Sequence, residues 1–111
     1  MSLAFSDVNA KINDGLLVEH TVKTAAYTAL KRDVIIGADT TGGILTITLP
    51  SAQTVKGKIY IINDEGGAAA TNTITIATEG SETIDGSATA TIVADDASLR
   101  LYSNGSNWFS Y

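Results

Sequence analysis

With 111 residues, no cysteine and a formal net charge of -5, the chain is sized for one domain with a small core, held by neither disulfides nor thiolate metal sites. The acidic balance argues against a partner gripped by its phosphates, since nucleic-acid binding draws on clustered Lys and Arg. Apolar residues make up 44% of the chain but aromatics only 6%, so large core side chains are scarce and association between copies would add burial that one copy lacks.

Residues 1–20 read apart from the rest. Phe5, Val8 and Ile12 fall at helical spacing, Ser6 is placed to cap a helix and Gly15 to stop it. The segment is expected to be an arm, either a helix that orders on docking or a terminus packed loosely on the domain 21–111. It has no basic stretch leading into a continuous apolar run, and no segment approaches the roughly 20 apolar residues that span a bilayer. A chain made in the cytoplasm, with no membrane partner, is expected.

From His20 onward the pattern is that of strands. Thr21 to Thr28 is rich in β-branched residues, and Asp33 to Gly37 adds a second apolar run. The turn residues Asp39-Thr40-Thr41-Gly42-Gly43 lead into Ile44 to Leu49, where Leu45, Ile47 and Leu49 alternate with Thr46 and Thr48. That alternation sends aliphatic side chains to one face and hydroxyls to the other, and Pro50 ends the strand. Gly57 to Asp64 is the most hydrophobic run and is expected to be central or covered on both faces.

Asn72 to Ala77 alternates cleanly, Ser81 to Gly86 is a small turn unit, and Thr89 to Val93 precedes the acidic turn Asp95-Asp96. The last hairpin pairs Ser98 to Tyr102 with Trp108 to Tyr111 across Asn104-Gly105, a strong turn signal. The expectation is an all-β fold, a compact β-sandwich, barrel or prism-like module of about eight short antiparallel strands with an N-terminal arm. A solenoid is the minor reading, because the units around Ile74, Ile84 and Ile92 share no period.

Little in the chain points to catalysis. His20 is the single histidine, no G-x-S-x-G elbow accompanies it, and it reads as a junction residue. Asp39, Asp64, Glu65, Glu82, Asp85, Asp95 and Asp96 fall mostly in predicted turns, where a carboxylate bonds the local backbone. No calcium-loop motif is present, and Gly42-Gly43 and Gly66-Gly67 begin no phosphate-binding pattern. No catalytic residue, cofactor or metal is therefore assigned. Tyr102, Trp108, Phe109 and Tyr111 gather most of the aromatics into one hairpin, and a core or subunit-interface role is favoured over an exposed ligand surface.

Six blocks taken in order carry a resemblance over about three quarters of the chain. They are Asp33 to Gly43, Leu49-Pro50, Lys58 to Gly67, Asn72 to Ile76, Ser81 to Gly86 and Asn104 to Trp108. Together they resemble a β-module of tailed-virus structural proteins, found in fibres, spikes and capsid-surface proteins. The resemblance implies a homotrimer without enzymatic activity, built into a virion. Fibres of this kind usually carry long shafts, whereas only 20 to 30 residues precede the module here, which fits a capsid decoration protein better. In that expectation Leu3, Phe5, Val8 and Ile12 dock on the major capsid protein. The alternative is the receptor-binding tip of a tail or head fibre, holding a host surface glycan with its turns and aromatic hairpin.

Overall fold

The computed structural model describes residues 17–111, so Phe5, Val8 and Ile12 with their helical spacing, the Ser6 cap and Gly15 lie outside the described residues. Among the described residues nine strands are formed: β1 (His20–Lys23), β2 (Tyr27–Thr28), β3 (Ile35–Ala38), β4 (Leu45–Leu49), β5 (Ile59–Asp64), β6 (Ile74–Thr78), β7 (Thr89–Ile92), β8 (Ser98–Ser103) and β9 (Trp108–Ser110). Among the described residues there is no α-helix, only a single 3-10 turn at Ala52–Thr54. The all-β expectation holds. The count exceeds eight because the run Thr21 to Thr28 breaks at residues 24–26, and its halves enter different sheets.

The expectation of antiparallel strands is corrected. One sheet has the order β1-β3-β5-β8-β9 and the other β2-β4-β6-β7. Pairs β1/β3, β3/β5, β2/β4 and β4/β6 are parallel, while β5/β8, β6/β7 and β8/β9 are antiparallel. Each early turn carries the chain from one sheet to the other instead of back beside the strand just made. On its return the chain runs in its original direction, one place further along the sheet. The stretch Asp39 to Gly43 is therefore a crossing between sheets, not a hairpin. The winding does not follow the solenoid reading, since Ile74 and Ile92, two of the units behind it, pair antiparallel, and the parallel crossings keep no fixed period. His20 pairs with Ile35 and Ile35 with Ile61, steps of unequal size.

One apolar core joins both sheets. Ile36, Tyr60, Ile62, Leu101 and Trp108 come from the five-stranded sheet, and Leu45, Ile47, Leu49, Ile74, Ile76 and Ile92 from the four-stranded sheet. β4 buries Leu45, Ile47 and Leu49 and leaves Thr46 and Thr48 half-buried, as the alternation predicted. β5 is central in its sheet. It buries only Tyr60, Ile62 and Asp64, and Ile59 on its other face is 43% exposed. Trp108 packs its ring 5.5 Å from Tyr60 within the core.

The final hairpin turns as expected, with Gly105 at φ +94°. A second tight turn lies at Asp85-Gly86, where φ is +49° and +85° and the amides of Ile84 and Ser87 each bond the other's carbonyl. Two positive φ values in a two-residue turn with this bonding describe a type I′ hairpin. It covers the free edge of β9, since Trp108 N–H donates to the Thr83 carbonyl, Asp85 N–H to the Trp108 carbonyl, and Ser110 N–H to Asp85 Oδ1. An edge satisfied in this way offers no template to another strand.

Candidate functional site: the outer face of the five-stranded sheet

Strand register assigns side chains to faces, because residues paired across strands point to the same side. On the outer face of the five-stranded sheet one row runs His20, Ile35, Ile61, Arg100, with Tyr111 beside Arg100 because its N–H donates a hydrogen bond to the Arg100 carbonyl. A second row runs Ile59, Tyr102, Phe109. Tyr102 and Phe109 stack with centroids 5.7 Å apart, Tyr111 tilts against Tyr102 at 6.0 Å, and the Arg100 guanidinium lies 5.3 Å from the centre of the Tyr111 ring. Val22, Ile59, Tyr102 and Tyr111 are all well exposed, Tyr111 by 54%.

The four-stranded sheet presents the opposite chemistry. Thr46 pairs with Thr75 and Thr75 with Thr91, and a second row runs Thr28, Thr48, Ala77, Thr89. Rows of hydroxyls and methyls suit water. The four-stranded sheet thus shows threonine rows flanked by the exposed Ile44 and Val93, while the five-stranded sheet groups Tyr102, Phe109 and Tyr111 with Ile59 and Arg100 on its outer side. Clustered outer aromatics mark a contact surface, and aromatic rings with an arginine are the residues that carry most binding energy at protein interfaces.

The four aromatics predicted as an interface or ligand surface are divided by the strand alternation. Tyr102, Phe109 and Tyr111 come together outside, whereas Trp108 is fully buried and belongs to the core. Its Nε1 and the Oγ1 of Thr40 are buried without a hydrogen-bond partner among the described residues. The docking residues Leu3, Phe5, Val8 and Ile12 lie outside the described residues. Ile35, Ile59, Ile61 and Val22 were missed as surface residues. The signal that could have placed them is the register of β5 against the aromatic hairpin, which needs the pairing to be known.

His20 is exposed and its Nε2 lies 2.7 Å from Glu65 Oε2, an ion pair at the margin of the face when the imidazole is protonated. Asp39 and Asp64 bond local backbone as expected, whereas Glu82, Asp85 and Asp95 reach amides of distant loops. Asp39 accepts from the amide and hydroxyl of Thr41, which together hold its carboxyl below the usual range. Asp95 accepts from Ala70 N–H. Asp33, a buried acid that turn chemistry alone did not single out, accepts from Tyr27 Oη at 2.6 Å and Leu30 N–H at 2.8 Å. Burial, followed by the bond to Asp33, pushes the Tyr27 phenol up to about 12.

Among the described residues no three His, Asp or Glu side chains gather in a way that could hold a metal ion, and no helix is long and apolar enough to cross a membrane. No protein-family model matches the chain, and no curated protein is significantly similar to it.

Proposed function

We propose that this chain is a non-enzymatic virion structural protein, a homotrimeric capsid decoration protein that binds the major capsid lattice and stabilises the head. The observation that carries the proposal is the cluster of Tyr102, Phe109 and Tyr111 beside Ile59 and Arg100 on the outer face of the five-stranded sheet. That cluster brings copies of the chain together. Two sheets sharing one core favour the sandwich among the forms expected, wound so that strands alternate between sheets.

In this reading Leu3, Phe5, Val8 and Ile12 supply the apolar contacts to the major capsid protein. The protein is made in the host cytoplasm and ends in the virion. It needs no cofactor and no nucleic-acid partner. Its work is thermodynamic: a ligand that binds only the assembled lattice lowers the free energy of that state, so separating capsid subunits requires its contacts to be lost as well. A fibre tip would instead present its turns to a host surface glycan.

Antibody-gold electron microscopy of purified virus particles tests the assignment. Label spread over the heads is expected. Label confined to tail ends or isolated projections would make the chain an attachment module, and unlabelled particles would overturn both virion readings.

A further inference from the structure

Away from the apolar face, three loops distant in sequence meet around a cleft of about 260 Å³ lined by Ser51, Gln53, Ser81, Glu82, Ser106 and Asn107. They are stitched to one another mainly by bonds between a side chain of one loop and the backbone of another. Ala52 N–H donates to Glu82 Oε1 at 3.1 Å, Thr83 N–H to Asn107 Oδ1 at 2.9 Å, and Ser103 Oγ–H to the Ala52 carbonyl at 2.8 Å. Trp108 N–H closes the set on the Thr83 carbonyl at 2.9 Å. Two of the lining side chains are thus oriented by backbone amides from a different loop. That is how a site is built before its ligand arrives.

The stitching leaves specific groups unspent. An amide donor facing Asn107 Oδ1 settles which end of that side chain is oxygen, so Nδ2 is the free end and carries two unused N–H donors. Glu82 uses Oε1 on Ala52 and keeps Oε2 free. The hydroxyls of Ser51, Ser81 and Ser106 and the amide of Gln53 make no hydrogen bond among the described residues and act in either sense.

A fixed acceptor, a fixed donor and several adaptable hydroxyls match a ring whose neighbouring hydroxyls each donate and accept. The lining holds no Lys or Arg, its single charge is the Glu82 carboxylate, and the chain is acidic overall, which disfavours anions. No aliphatic or aromatic side chain lines the cleft, which disfavours apolar ligands. We propose that this cleft binds the terminal ring of a neutral saccharide. Its volume lies just under the range of about 300–1,000 Å³ typical of small-molecule pockets, room for a terminal ring and not an extended chain. Without a stacking ring the affinity of one site is about millimolar. The inference does not depend on where the protein resides.

The test is a titration of the ¹⁵N-labelled full chain, followed by amide chemical shifts, with D-glucose, D-galactose, D-mannose and N-acetyl-D-glucosamine as separate probes. At least one should give saturable shifts confined to the lining residues, the Asn107 side-chain NH₂ among them. Asn107→Asp keeps the acceptor for Thr83 and removes the donor, and should weaken binding about tenfold or more with the remaining spectrum unchanged. Glu82→Gln keeps the acceptor for Ala52, removes the charge and serves as the second variant should the first lose its fold. Absence of saturable shifts at the lining residues with all four probes would overturn the proposal, as would binding that both folded variants leave intact.

Discussion

Asp64 gathers four backbone amides onto one carboxylate. Its Oδ1 accepts from Gly67 at 3.0 Å and Ala68 at 3.4 Å, and its Oδ2 from Ala69 at 3.1 Å and Asp96 at 3.0 Å. The residue is 1% exposed. Burial opposes its ionisation, but the amides of Ala69, Asp96, Ala68 and Gly67 outweigh that penalty and hold its carboxyl below the usual range. A carboxyl whose folded pKa is depressed stabilises the fold fully above its unfolded value, about 3.9, and loses that contribution as pH falls through the folded value. The urea midpoint should therefore drop between about pH 5 and pH 2. Asp64→Asn must turn its NH₂ toward two amide donors, and should cost roughly 2–3 kcal/mol at neutral pH while flattening the acid dependence. A variant as stable as the parent, with an unchanged acid slope in urea melts, would refute this account of the cradle.

At the scale of elements, the Asp85-Gly86 turn folds a small hairpin over the edge of β9 and depends on a residue that tolerates positive φ. Gly86 has φ +85°, and a Cβ added there would meet no heavy atom within 4 Å, so Gly86→Ala isolates the backbone term. A destabilisation of roughly 1–2 kcal/mol is expected in thermal or urea unfolding. Gly42 is the control. It has equally open space and no positive φ, so Gly42→Ala should be neutral or slightly stabilising by reducing the freedom of the unfolded chain. Equal effects at the two sites would show that the left-handed conformation is not what Gly86 supplies. The opposite edge of the same sheet, β1, is adjoined by the His20–Glu65 pair, which exposed geometry makes a weak tie.

For the whole molecule, the outer cluster of Tyr102, Phe109 and Tyr111 predicts an assembly. Tyr102 lies in the middle of the Ile59, Tyr102, Phe109 row and is 38% exposed, so replacing it leaves the core of a single copy intact. The parent should sediment with the mass of three chains, and Tyr102→Asp should shift it toward one chain while the circular dichroism of the strands is unchanged, since an unpaired charge at the centre of an interface is costly. A parent that already sediments as one chain while folded would refute the trimer.

Strand locations were legible in the sequence because alternation of period two is a local property: Leu45 to Leu49 and Ile74 to Ala77 announce a buried and an open face without reference to anything else. The Asn104-Gly105 hairpin and the Asp39 turn were legible for the same reason, the chemistry lying within a few residues, whereas the bonds of Asp85 and Asp95 to residues 25 positions away were not. Sheet membership was not. Whether a turn returns the chain beside its last strand or carries it across to the other sheet depends on which strands pair, a long-range choice that the turn residues do not encode, and parallel pairing emerged only from the tertiary structure. The site followed the same division. The sequence by itself determined that Tyr102, Trp108, Phe109 and Tyr111 share a hairpin; only the pairing of β8 with β5, and of β9 with β8, decided that Trp108 enters the core while the other three join Ile59 and Ile61 outside. The polar cleft likewise needed three distant loops to meet, because hydrogen bonds from side chains to backbone groups far apart in sequence leave no local pattern.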